Sequence, residues 1–282
     1  MKILARMLAL SLMLICLAAA PALALVEPKS KNLEQTLSYD YDTLKIQIDQ
    51  WHYAYKNHDV RFFVVNLHLA DPAQMQTAFA GETYSKRNVE APSDIAARHN
   101  AVLAINGDYY NYKDDYGMII RNGVHYRSAS STRDHLLVYA DGTFKSLYAD
   151  DYVKDMGDQY VADGVMQSFA FGPLLVDDGK ATTMPDKYIV STKDSIREPR
   201  TAIGMVDKNH YVVIVVDGRR NGWSEKGMTL PELQQLFIEQ GCQIAYNLDG
   251  GGSTSLVVDG KKLNRASGSR EREVSDIVYF IP

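Results

Sequence analysis

Residues 247–258 read "NLDGGGSTSLVV". One carboxylate, Asp249, precedes three glycines, Gly250, Gly251 and Gly252, and the hydroxyls of Ser253, Thr254 and Ser255 follow. Glycine permits positive φ and close approach of another group to the main chain. Successive N–H groups in such a turn can form an anion-binding nest. A glycine-rich bulge without a ligand accounts for the same letters, so this stretch alone does not decide. Three other stretches carry groups of complementary chemistry. In "AINGDYYN", Asn106 ends an apolar run, and Asp108, Tyr109 and Tyr110 emerge from it. An amide, a carboxylate and aromatic rings suit a sugar, whose hydroxyls need polar partners and whose ring packs on an aromatic face. In "REPRTAIG", Arg200 enters an otherwise apolar strand. A cation there needs an anionic partner, either a structural carboxylate or a phosphate that fits the guanidinium fork. In "VVDGRRNGWSEKG", Asp217, Gly218 and Arg219 follow the most apolar run of the chain, with Arg220 and Trp223 beyond.

The elements that must position these groups are strands. "AVLAIN", "YVVIVV" and "QIAYNL" are short apolar runs that read as buried strands, and they end at Asn106, Val216 and Leu248. Each gives way to a polar, glycine-containing turn with an aspartate. That shared placement predicts one cleft lined by Asp108, Asp217 and Asp249 with Arg200 and Arg219. Hairpins are expected at Asn122-Gly123 and Asp141-Gly142. "SDIAARHN" reads as a short helix capped by Ser93. "TLPELQQLFIEQG" reads as a longer one, with Thr229 and Glu232 as a capping box and Leu233, Leu236, Phe237 and Gln240 on its inner stripe. The fold class is α+β: a strand-rich mixed-sheet domain with a few short helices.

Residues 1–24 stand apart. Lys2 and Arg6 precede an apolar run ending in Ala22-Leu23-Ala24, which reads as a secretory signal with an A-x-A cleavage site. No second apolar span follows, so no membrane span is expected after cleavage. Removing 24 of 282 residues leaves 258, and the formal charge of -5 becomes -7 without Lys2 and Arg6. That acidity argues against a nucleic-acid partner. Of the two cysteines only Cys242 survives, so no intrachain disulfide forms. Residues 25–40 are polar and are expected to be poorly ordered. The domain plan is then a signal at 1–24, an N-terminal extension and first strand at 25–59, and the main domain at 60–282. The chain lacks H-x-x-x-H and paired-cysteine spacing, which argues against zinc. Asp108, Asp217 and Asp249 together could hold a hard cation such as Ca2+, so metal dependence stays open.

The ordered set "INGDYY", "FGPLLV", "REPRTAIG", "VDGR", "TLPELQQLFIEQGC" and "NLDGGGSTSLVV" resembles the phosphodiester glycosidase family, over roughly residues 60–282. Unlike the animal members, this chain is expected to carry neither disulfides nor extra modules. The resemblance implies an exported enzyme that cleaves a sugar C1–O bond whose leaving group is a phosphate monoester. It assigns charge stabilisation to Arg200, Arg219 and the Gly250–Gly252 amides, and the carboxylate work to Asp249 or Asp108. Asn106 and Tyr109 would hold the sugar, with Asp217, Ser253 and Thr254 lining the site. The other reading is a non-catalytic carbohydrate-binding or exopolysaccharide-assembly protein of the envelope, for which the 18 tyrosines supply stacking surfaces.

Overall fold

The computed structural model describes residues 31–55, 58–109, 116–185, 188, 196–220 and 225–282. The signal-like segment, Tyr110 and Trp223 lie outside them. Along the chain run β1 (Asn32–Asp40), β2 (Leu44–Tyr55), β3 (His58–Leu69), β4 (Met75–Phe79), α1 (Pro92–Arg98), β5 (Leu103–Asn106), β6 (Met118–Arg121), β7 (Val124–Ser128), β8 (His135–Tyr139) and β9 (Phe144–Leu147). Then come α2 (Gly157–Ala162), β10 (Val165–Phe169), β11 (Leu174–Asp177), β12 (Lys180–Ala181), β13 (Arg200–Asp207), β14 (His210–Val216), α3 (Leu230–Glu239), β15 (Ile244–Asn247), β16 (Leu256–Val258), β17 (Lys261–Lys262) and β18 (Asp276–Phe280). They form an eight-stranded sheet, β1-β2-β3-β14-β13-β15-β11-β12, and two five-stranded sheets, β7-β6-β10-β8-β9 and β17-β16-β5-β18-β4. Their pairings are antiparallel, and with three α-helices among the described residues the architecture is the expected α+β one.

β14 shows why the centre of the large sheet is buried on both faces. It lies between β3 and β13. Its Tyr211, Val213 and Val215 point into the main core with Phe63, Ile203 and Tyr246. Its Val212, Ile214 and Val216 point the other way, onto Leu230, Leu233 and Phe237 of α3. The period-2 alternation of an all-apolar strand thus serves two cores. Each fully buried side chain of this size contributes about 1.5–3 kcal/mol. α3 begins at the predicted capping box, Thr229 with Glu232. Its inner stripe contains Gln234 rather than Gln240: the Gln234 amide donates to the Leu175 and Thr182 carbonyls, whereas Gln240 is the C-cap.

Two local expectations are corrected. The segment 25–40 is not irregular over its described part, because β1 pairs with β2 over most of its length. It reads as polar because an edge strand with both faces largely in water needs no apolar residues. Ser93 is not a cap either. α1 starts two residues earlier, with Ala91 at the cap position, and the Ser93 hydroxyl donates to Glu271 at 2.6 Å.

Candidate active site

Of the three strand ends, those of β5 and β15 meet, through a hydrogen bond between the sheets. Asn106, at the end of β5, donates its amide to the Asp249 carbonyl at 2.7 Å. Its oxygen accepts from the Thr201 hydroxyl at 2.7 Å and the Ser255 N–H at 3.0 Å. Residues 143 positions apart are thereby locked together. Asn106 is 1% exposed. Its polar atoms fasten the glycine loop from behind, and the sugar-hydroxyl role expected of it has no surface through which to act.

In front of that loop is a cavity of about 300 Å³ lined by Asp249, Gly250, Gly251, Gly252, Arg200, Arg219, Arg272, Glu198, Phe171 and Ile196. Arg200 is 3% exposed. Its Nε donates to the Met228 carbonyl at 3.2 Å, while its Nη2 is buried without a hydrogen-bond partner. Burial draws its pKa down to about 10, so it stays cationic at neutral pH. Arg219 is oriented by an ion pair with Glu198 and takes φ +58, a strained left-handed conformation for a non-glycine residue. Arg272 completes the basic wall.

Close approach to main chain requires a glycine at Gly250, whereas Gly251 and Gly252 face the ends of arginine side chains. A Cβ on Gly250 would stand 2.7 Å from the Pro199 carbonyl, one on Gly251 3.1 Å from Arg219 Nη1, and one on Gly252 2.8 Å from Arg272 Nη1. Gly251 also takes φ +59. Their amides are less available than a nest requires. Gly250 N–H donates to the Asp249 carboxylate at 2.8 Å and Gly251 N–H to the Pro199 carbonyl at 2.9 Å. Negative charge in this cavity is therefore met by guanidinium groups more than by main-chain amides.

Asp249 is part-buried, and burial pushes its carboxyl up to about 6 against hydrogen bonds from Ser253 and Gly250 and the nearby charge of Arg272; Asp108 pushes the same way as burial. Asp108 is 5% exposed and is not among the cavity-lining residues. Its Oδ2 accepts from Ala170 N–H at 2.7 Å, and its Oδ1 is buried without a hydrogen-bond partner. Burial raises its pKa, with Arg121, Arg127 and Arg133 opposing. Asp276, fully buried, accepts from Asp108 N–H at 2.9 Å and pairs with Arg121 Nη2 at 2.7 Å. A Cβ on Gly107 would fall 2.4 Å from its Oδ1.

The remaining sequence candidates do not line the cavity. Asp217 is 2% exposed and takes hydrogen bonds from Asn264 and from Arg265 N–H at 3.1 and 3.0 Å, with Arg61 at 3.6 Å. It is outside the cavity, and burial raises its pKa to about 6. Ser253 and Thr254 are buried, and Tyr109 is exposed. Among the described residues no three His, Cys, Asp or Glu side chains gather to hold a metal, so the three aspartates form no calcium cage. His135, fully buried and pushed down to about 3, accepts the Met118 N–H, so it serves as a neutral structural residue. The sequence reading missed Glu198, Arg272 and Asp276. Asp276 had a legible signal, a carboxylate opening the apolar run "DIVYF". Arg272 had none, sitting in the charged stretch "SREREVS".

Residues 99–281 match the family model for phosphodiester glycosidase. The chain is 33% identical over 199 residues to the SPbeta prophage-derived protein YomE of Bacillus subtilis, covering 68% of this chain and 30% of YomE. It is 24% identical over 189 residues to N-acetylglucosamine-1-phosphodiester alpha-N-acetylglucosaminidase of Bos taurus, covering 64% of this chain and 35% of that protein. The chain thus spans about a third of the length of these relatives. Its fold is similar to the catalytic domain of the zebrafish enzyme of the same name, auto-inhibited by its pro-peptide, with a TM-score of 0.69, 18% identity and coverage of 89% of this chain and 87% of that one. No helix among the described residues is long and apolar enough to cross a membrane. With its model match over residues 99–281, the chain belongs to the phosphodiester glycosidase family.

Proposed function

We propose that the protein is an exported glycosidase that hydrolyses the sugar C1–O bond of a sugar-1-phosphodiester of the GlcNAc-1-phosphate type, in a glycan or wall polymer. The observation that carries the reading is Arg200: a buried guanidinium with an unpartnered Nη2, in the same small cavity as Asp249. A buried cation with an open donor is costly unless an anion completes it. The leaving group of this reaction is such an anion. It departs as a phosphate monoester, taking the electron pair of the C1–O bond, and needs little protonation. Arg200, Arg219 and Arg272 stabilise the charge that accumulates on it. Asp249 faces the oxocarbenium-like anomeric carbon, as nucleophile or as base for the water that adds to C1. Family membership and the alpha-N-acetylglucosaminidase relatives support the reaction class. Export is supported by the signal-like segment at 1–24.

Hydrolysis of a GlcNAc-1-phosphate methyl diester in 18O-labelled water tests the bond cleaved. Label is expected in the released sugar. Label in methyl phosphate would mean P–O cleavage, the work of a phosphodiesterase. Binding of the diester without turnover would favour the non-catalytic carbohydrate-binding alternative.

A further inference from the structure

A serine and a histidine of β7, the edge strand of its sheet, line up with a carboxylate of α2, and none of the three lines the cavity at Asp249. His125 Nε2 lies 2.9 Å from Ser128 Oγ, and His125 Nδ1 lies 2.8 Å from Asp158 Oδ1. An ionised carboxylate only accepts, so Nδ1 carries the proton of the neutral ring. Nε2 is then an acceptor, and the Ser128 hydroxyl donates to it. A hydroxyl on Nε2 and a carboxylate on Nδ1–H is the order that activates a serine nucleophile. Two local features produce it. In a regular strand residues three apart point to opposite faces. β7 carries an extra residue at Tyr126, since Arg127 pairs with Ile119 and His125 with Ile120. That bulge restores the parity and turns His125 and Ser128 to one face. Gly157, where α2 begins, leaves room for the ring, because a Cβ there would overlap the His125 imidazole. The next residue, Asp158, is thereby brought to Nδ1. Stability does not account for the arrangement. The Asp158 side chain is 92% exposed, and an ion pair so exposed contributes little. A strut between α2 and β7 has no need of Ser128.

We propose that Ser128, His125 and Asp158 form a second hydrolytic site, separate from the phosphodiester reaction, for esters of short carboxylic acids. Ser128 Oγ adds to the ester carbonyl carbon as its proton passes to His125 Nε2. The bond from that carbon to the alcohol oxygen then breaks, its electron pair stays on the oxygen, and the oxygen takes the proton from Nε2. Water attacks the acyl-serine in the same way, giving a proton to Nε2, and Ser128 recovers that proton as the acid leaves. Asp158 holds the ring in the required tautomer and faces the imidazolium that forms in each step. The acyl group is short because the apolar surface at hand is small. It consists of Tyr152, whose hydroxyl reaches Ser128, and Met156, which is 40% exposed and precedes Gly157.

Hydrolysis of p-nitrophenyl acetate by the whole protein tests it, with peptide mapping by mass spectrometry of the acetyl-enzyme trapped by an acid quench. The acetyl group should be found on Ser128. Ser128→Ala and His125→Gln should each lower kcat/KM by about 10²-fold or more, the range for losing a nucleophile or its positioned base. Asp158→Asn should lose less, because its carboxylate is in water, where its hold on the imidazolium is weaker. Thermal melting checks the folding of all three, and Asp158→Asn, at an exposed position, remains the readout should either of the others unfold. A wild-type rate no greater than that of free histidine at the same concentration would overturn the site. So would acetyl groups on lysines alone, or a rate unchanged in both Ser128→Ala and Asp158→Asn.

Discussion

Asp249→Asn is expected to lower kcat/KM on a GlcNAc-1-phosphate diester by about 10³-fold, within the range for removal of a positioned acid–base group. The substitution is nearly isosteric, and the asparagine oxygen can still accept from Gly250 N–H, whose bond to Asp249 is 2.8 Å long. The loss therefore isolates the charge. Its counterpart is the pH profile of the wild type. Burial raises the Asp249 carboxyl to about 6, and the reaction needs it ionised, so kcat/KM should fall as pH drops through about 6. Stability should move the other way. A carboxyl whose folded pKa lies above its unfolded value favours the folded state most when protonated, and this contribution is lost as pH rises towards the folded pKa. Asparagine removes that loss, so the variant should melt no lower than the wild type at pH 7.5. An inactive variant of undiminished stability would separate lost chemistry from lost structure. Activity within threefold of wild type would remove Asp249 from the reaction.

Arg200→Ala is expected to lower kcat by about 10²–10³-fold, the range for removing one preorganised donor from a developing anion. The fall should be mainly in kcat, because charge on the leaving phosphate is greatest in the transition state. Arg200→Lys should recover part of the activity: it restores the charge but not the fork that carries both the Met228 contact and the open Nη2. Added guanidinium ion should recover part of the activity of the alanine variant, while methylammonium recovers less. Equal kcat in wild type and Arg200→Ala would leave the buried guanidinium as a structural residue.

What the sequence disclosed depends on how local each signal is. The α3 start was legible because a capping box is a four-residue device, and the turn at Asn122-Gly123 because both residues take positive φ there. The apolar run of β14 announced burial on both faces. β1 was not legible, since its polar side chains reflect water on both faces and its order comes from pairing with β2. Of the cavity-lining residues, Asp249, the glycines, Arg200 and Arg219 were singled out because each interrupts an expected pattern. Asp217 was grouped with them for the same reason, yet it serves a separate network with Asn264 and Arg265. Ending a buried strand puts a residue near the rim of a sheet but does not choose among clefts there. Asn106 was read as a ligand group because its contacts, with Thr201 and Ser255, lie 95 and 149 positions away. The triple glycine drew notice for its amides, whereas what the structure asks of it is room for the Pro199 carbonyl at Gly250 and a positive φ at Gly251.

The central claim is tested most directly by the crystal structure of the Asp249→Asn variant soaked with a GlcNAc-1-phosphate diester. The phosphate should lie against the Gly250–Gly252 loop, with one oxygen about 2.9 Å from Arg200 Nη2 and the anomeric carbon towards residue 249. A phosphate bound on another face of the protein, with Arg200 Nη2 still unpartnered, would contradict it.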